Sequence, residues 1–213
     1  MQKKTWLHRL TDGSNLWFNA VKAEDEGDYE GAISYYIKDA LECIKQHSLV
    51  RAALSCSCAA NCLERIGAPS LARVLYSEAG SIYVENSELS LSESIREALW
   101  SLQEAFENYV LAGDSAAEIV RDRYVILAAR TSPFSKIGNV VKDLEPHRAE
   151  PVTLGPIKET RIAQHILAQI EAFVKARKIS KTCAVKSDPN HVMKAIDRSG
   201  RGGSRLDEKG IVS

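Results

Sequence analysis

Gly27-Asp28-Tyr29-Glu30-Gly31-Ala32-Ile33-Ser34-Tyr35-Tyr36 and, 40 residues on, Gly67-Ala68-Pro69-Ser70-Leu71-Ala72-Arg73-Val74-Leu75-Tyr76 are two copies of one pattern. Three positions move together: Gly27 to Gly67, Ala32 to Ala72 and Tyr36 to Tyr76. A third copy starts at Gly113-Asp114, 46 residues beyond Gly67, and runs through Ala116, Ala117, Val120 and Tyr124 with its phase slipped by about one residue. A repeat of this length is the signature of stacked supersecondary units, so it governs how the rest of the chain is read.

Amphipathic helical stretches precede and follow each Gly, which makes the unit a helix, a tight turn and an antiparallel helix. Gly67 and Gly113 fall where a helix must end in a left-handed residue, a conformation Gly adopts without a side-chain clash. Small residues (Ala20, Ala60, Ala32 and Ala72) let helix backbones approach, and Tyr36 and Tyr76 fill the space between neighbouring hairpins. One hairpin cannot bury its apolar face alone, whereas an array can.

The run Gly-Asp-Tyr-Glu-Gly-Ala-Ile-Ser-Tyr-Tyr-Ile-Lys from Gly27 resembles the turn and second helix of a tetratricopeptide repeat (TPR), over roughly Ser14 to Arg130. The longer period and the Ala-rich stretches Ala59–Gly67 and Ser77–Gly80 are similar to the soluble NSF attachment protein (SNAP) branch of these folds. The resemblance implies an all-α protein, a right-handed TPR-like α-solenoid closed by a C-terminal capping helix. In the first copy Asp39 stands where that family has a small residue, and the third copy lacks its aromatic.

The repeat region is expected over residues 1–132. Ser87–Glu93 reads as a loop, with Ser90 or Ser92 capping the next helix. Pro133 ends the third hairpin. Residues 133–179 then read as a short helix (134–144), a linker marked by Pro146, Pro151 and Gly155-Pro156, and an amphipathic helix with Ile162, Ile166, Ile170, Phe173 and Val174 on one side. Residues 180–213, with Gly200, Gly202, Gly203 and Gly210, read as a disordered basic tail.

The composition excludes several function classes. Twenty-eight basic and 28 acidic residues give no net charge, so nothing global favours nucleic acid or an anionic membrane, although Lys175–Arg205 is locally basic. No apolar run is long enough to span a bilayer, and membrane association is expected only through a partner. Five cysteines (Cys43, Cys56, Cys58, Cys62 and Cys183) and the lack of an apolar core in Met1–Leu10 point to a reducing, cytoplasmic compartment.

Catalytic chemistry is not legible. Cys58 and Cys62 share a helix face, but Cys56 projects elsewhere and no paired Cys-x-x-Cys exists, so small-residue packing is the expectation and no metal site is assigned. His8, His47, His147, His165 and His191 form no ligand pair. Glu24 and Glu26, like Glu104 and Glu107, read as solvated charges. Arg201-Gly202-Gly203 is a single element of a kind that RNA-binding tails repeat.

In the resembled family the first helix of each hairpin lines the binding surface. Carried over position by position, that surface is Trp17, Phe18 and Val21, then Ser57, Cys58 and Asn61, then Trp100, Gln103, Glu104 and Glu107. Packing of the aromatics against neighbouring helices is the competing reading. The Lys, Asn and Arg set with which some TPR domains clamp a C-terminal carboxylate is replaced by neutral and acidic residues, so an apolar or helical ligand fits better. The functional expectation is a non-catalytic adaptor without cofactor or small-molecule substrate, holding a helix or peptide of another protein. A SNAP-like adaptor for membrane fusion and a small helical enzyme using Cys58, Cys62 and His165 are the alternatives.

Overall fold

The computed structural model describes residues 15–131 and 162–187. These residues form seven α-helices and no strand: α1 (Leu16–Asp25), α2 (Tyr29–Lys45), α3 (Leu49–Arg65), α4 (Pro69–Ser90), α5 (Ile95–Ala112), α6 (Ala116–Thr131) and α7 (Gln164–Ser187). The chain divides into two compact units, Met1–Phe173 and Val174–Ser213, with the boundary inside α7. The short helix expected over 134–144, the linker after it and the tail beyond 187 lie outside the described residues.

From α1 to α6 each helix packs on the next, and the turns follow one recipe. Gly27, Gly67 and Gly113 adopt φ of 80°, 79° and 66°, as expected for helix-ending residues. At the first, Asp28 N–H donates to the Ala23 carbonyl at 2.8 Å and Gly27 N–H to that of Glu24 at 3.0 Å, so two carbonyls left open by the helix end are satisfied. The same pair of bonds recurs at Gly67-Ala68 and at Gly113-Asp114. A fourth copy occupies Gln46-His47-Ser48, where His47 takes the left-handed position with φ 57°. Left-handed turn residues thus stand at 27, 47 and 67, a step of 20 within the visible repeat of 40.

Helix starts are equally local. Asn15, Asp28 and Ser94 accept from the backbone N–H three residues on, at 3.2, 2.9 and 3.2 Å. Ser94, not Ser90 or Ser92, therefore caps α5, and the expected loop at 87–93 is corrected. Helix α4 runs through Ser90, with Ser87 turned back onto the Val84 carbonyl at 2.7 Å. That longer helix and its wider connection stretch the spacing from 40 to 46.

Small residues and tyrosines pack in the core with aliphatic side chains such as Ile33, Leu63, Leu75 and Ile82. Ala20, Ala32, Ala40, Ala52, Ala60, Ala72 and Ala79 have no exposed surface, and Tyr36 and Tyr76 are buried. Each phenol donates to a glutamate 12 residues back, Tyr36 to Glu24 at 3.0 Å and Tyr76 to Glu64 at 3.3 Å; Tyr76 also donates to Asn61 at 2.6 Å. The repeat therefore carries a hydrogen bond as well as a shape. Gly80 lets the Tyr109 ring of α5 lie against α4, since a Cβ there would stand 3.1 Å from three ring atoms. Asp39, the departure from the family pattern, is buried and bound by α3: Arg51 donates at 2.9 and 3.2 Å and Ser55 at 2.7 Å.

In α7, Ile166, Ile170 and Phe173 are buried and Glu171 and Lys175 exposed, in line with the amphipathic reading. The helix begins at Gln164 and continues past Ile179 to Ser187, so the part of the expected tail up to Ser187 is helical.

Candidate functional site

Alternate helices meet through side chains. Arg51 of α3 lies over the Trp17 ring of α1, 5.6 Å from its centroid, and Arg65 of α3 reaches Glu24 of α1 at 3.8 Å. Ser57 of α3 donates to Asn108 of α5 at 2.7 Å. Helices α1, α3 and α5 therefore form one side of the hairpin series, which brings the proposed partner-binding residues onto neighbouring elements.

Eight of the ten keep accessible surface. Phe18 and Trp100 are exposed, and Trp17, Val21, Cys58, Asn61, Gln103 and Glu104 are half-buried. Ser57 and Glu107 are corrections, because both are buried. Ser57 spends its hydroxyl on the α3–α5 contact, and Glu107 stands beside Asn108 where α5 turns inward. Neither offers surface to a partner.

The two tryptophans differ. Trp17 meets Tyr36 edge-on with centroids 5.3 Å apart and is covered on another side by Arg51, so packing accounts for much of its role. Trp100 contacts buried Tyr83 edge-on at 5.7 Å and 90° while remaining 41% exposed. One edge is thus anchored and the rest of the indole is available, as at interface tryptophans. Each borders an open depression. Trp17, Ser48, Val50, Arg51 and Leu54 enclose about 350 Å³, and Ile95, Arg96, Leu99, Trp100, Gln103 and Tyr124 about 430 Å³.

Leu54 was missed by the sequence reading, although it is 39% exposed and lies between the two tryptophan sites in the chain. The signal was present: the same shift of 46 that relates Gly67 to Gly113 relates Leu54 to Trp100. Arg51 was missed for a different reason, since its pairing with Asp39 has no sequence motif.

Electrostatics explain the cysteines. Cys62 is buried, and burial first, then the Glu24 carboxylate, pushes its thiol up to about 12. Burial and then Asp39 push Cys43 up to about 11. The Tyr36 phenol is raised by burial, then by Cys58 and by its bond to Glu24. Thiolate is the nucleophile and the metal ligand, so Cys62 is held in its inert form. His165 is exposed on α7. Among the described residues, no three His, Cys, Asp or Glu side chains converge as a metal site, and no helix is long and apolar enough to cross a membrane. His8, His147, His191 and the Cys183 side chain lie outside the described residues.

Searches against known families, curated proteins and solved structures return no match to this chain.

Proposed function

We propose that the protein is a non-catalytic interaction module whose hairpins form a right-handed TPR-like solenoid, and that the α1–α3–α5 side holds a helix or extended peptide of a partner protein. The observation that carries this reading is the series Phe18, Leu54 and Trp100, each about 40% exposed, on three successive odd-numbered helices. An aromatic–aliphatic row on adjacent rigid helices suits the apolar face of an amphipathic ligand, with anchors spaced by a helical turn. Asn61, Gln103 and Glu104 beside it can orient the ligand by hydrogen bonding. The two depressions are open, as expected for a surface that grips a chain segment rather than a small molecule. The buried stripe Ile166, Ile170 and Phe173 of α7 is read as a cap within the first compact unit.

An adaptor of this kind needs no reactive group, and the protonated, buried Cys62 thiol supports that reading over a cysteine nucleophile. The test is affinity capture with the wild type and with a Phe18→Ser, Leu54→Ser, Trp100→Ala variant whose helicity is checked by circular dichroism. A partner that binds the wild type should be lost by the triple variant. Equal recovery by both would remove the α1–α3–α5 side from consideration.

A further inference from the structure

The first helix of the series is short. Helix α1 has 10 residues, whereas α3 and α5, on the same side, have 17 and 18. The shift of 40 that carries Gly27 onto Gly67 sets Leu16, where α1 begins, level with Cys56. Leu49–Ser55 of α3 therefore run on past the start of α1 for about two turns, or about 10 Å, and α1 does not flank them. The surface left there is apolar. Leu54 is 39% exposed and Val50 half-buried, and with Trp17 and Ser48 they wall the depression of about 350 Å³. Arg51 in the same lining is held by Asp39 at 2.9 Å, so its charge is compensated and does not oppose an apolar occupant.

We infer that the occupant is the segment of this chain that precedes α1. Residues 1–14 lie outside the described residues and join the structure at Asn15, whose φ of −78° and ψ of 95° take the chain off the helix where the overhang of α3 begins. The large apolar side chains of this segment are Trp6, Leu7 and Leu10. Leu10 is three residues from Leu7 and four from Trp6, the spacings that share one face of a helical turn. The stretch from Leu10 to Asn15 reaches up to about 17 Å when extended, more than the length of the overhang. Tethering favours this occupant over a separate molecule, because a short linker holds these side chains at the depression at a high effective concentration. Docked there, Leu10 and Trp6 close over Leu54 beside the Trp17 ring and take the place of the two turns that α1 lacks. Leu54 is also the middle anchor of the proposed partner surface, so a partner gripping all three anchors has to displace the segment. That consequence rests on the proposed function, whereas the docking is a property of the chain alone.

Methyl-resolved NMR of the full chain, with no partner present, decides the matter. Nuclear Overhauser contacts should join the Trp6 indole and the Leu10 methyls to the methyls of Val50 and Leu54. A Trp6→Ser, Leu10→Ser variant should lose these contacts and shift the Val50 and Leu54 resonances, while those of Ile119 and Ile126 stay in place. Leu54→Glu should release the segment, read as loss of the Trp6 contacts and several-fold faster amide exchange over residues 6–11, with circular dichroism verifying the fold. A folded wild type in which Trp6 and Leu10 make no contact with α3 overturns the inference. So do Trp6 contacts that persist in the folded Leu54→Glu variant.

Discussion

At the scale of single residues, the turns make the sharpest predictions. The left-handed conformation costs a residue with a Cβ about 1 kcal/mol or more, and this is borne by His47 but avoided at Gly27 and Gly67. Gly27→Ala and Gly67→Ala should each lower stability by about 1 kcal/mol, and His47→Gly should raise it by a few tenths to about 1 kcal/mol, read from urea midpoints at constant m. The thiols set the alkaline behaviour. Folding raises Cys62 from 9.0 to about 12 and Cys43 from 9.0 to about 11. The folded state therefore holds protons that the unfolded state has released. The corresponding stability is complete below pH 9.0 and is lost as pH rises through 11 to 12. Thermal melts across this window should fall, and Cys62→Ala should fall less steeply than the wild type.

At the scale of helices and hairpins, pairing is decided by a few buried polar contacts on a bed of alanine. Asp39 joins α2 to α3 through Arg51 and Ser55. Asp39→Ala should cost about 2–3 kcal/mol, because it leaves the fully buried Ser55 hydroxyl without that acceptor and removes the ion pair. Ser94→Ala removes only the cap of α5 and should cost about 1 kcal/mol. The contrast separates a contact between helices from a contact within one. If denaturant titrations showed Ser94→Ala to be the more damaging, the assignment of Asp39 as the α2–α3 tie would be wrong.

Across the hairpin series, stability depends on coupling between units that share no turn. Ser57 and Asn108 join α3 to α5 across 51 residues of sequence. A double-mutant cycle with Ser57→Ala and Asn108→Ala should give a coupling of about 1 kcal/mol. Additive losses would mean that the hairpins are held by apolar contact alone. The same stacking leaves different surfaces on different helices: α1, α3 and α5 present Phe18, Leu54 and Trp100, whereas α6 presents Ile119 and Ile126 with the charged Asp122 and Arg123 between them.

The sequence by itself determined the helical class, the hairpin unit and its turns, because each rests on short-range chemistry: a glycine at a left-handed position, an alanine at a close contact, a tyrosine at a fixed offset. It named Phe18 and Trp100 on the first helices of their hairpins but left open whether they are exposed or packed, which the structure decides at 40% and 41% exposure. It concealed the step of 20, since His47 fills by tertiary constraint a position that Gly fills elsewhere. It misjudged Ser57 and Glu107, because two residues one helical position apart can face a partner or a neighbouring helix depending on how far the helix is rotated. Only the packed structure fixes that rotation, as it fixes the Asp39–Arg51 pair and the open face of α6: burial and ion pairing depend on distances between helices, which no local pattern encodes.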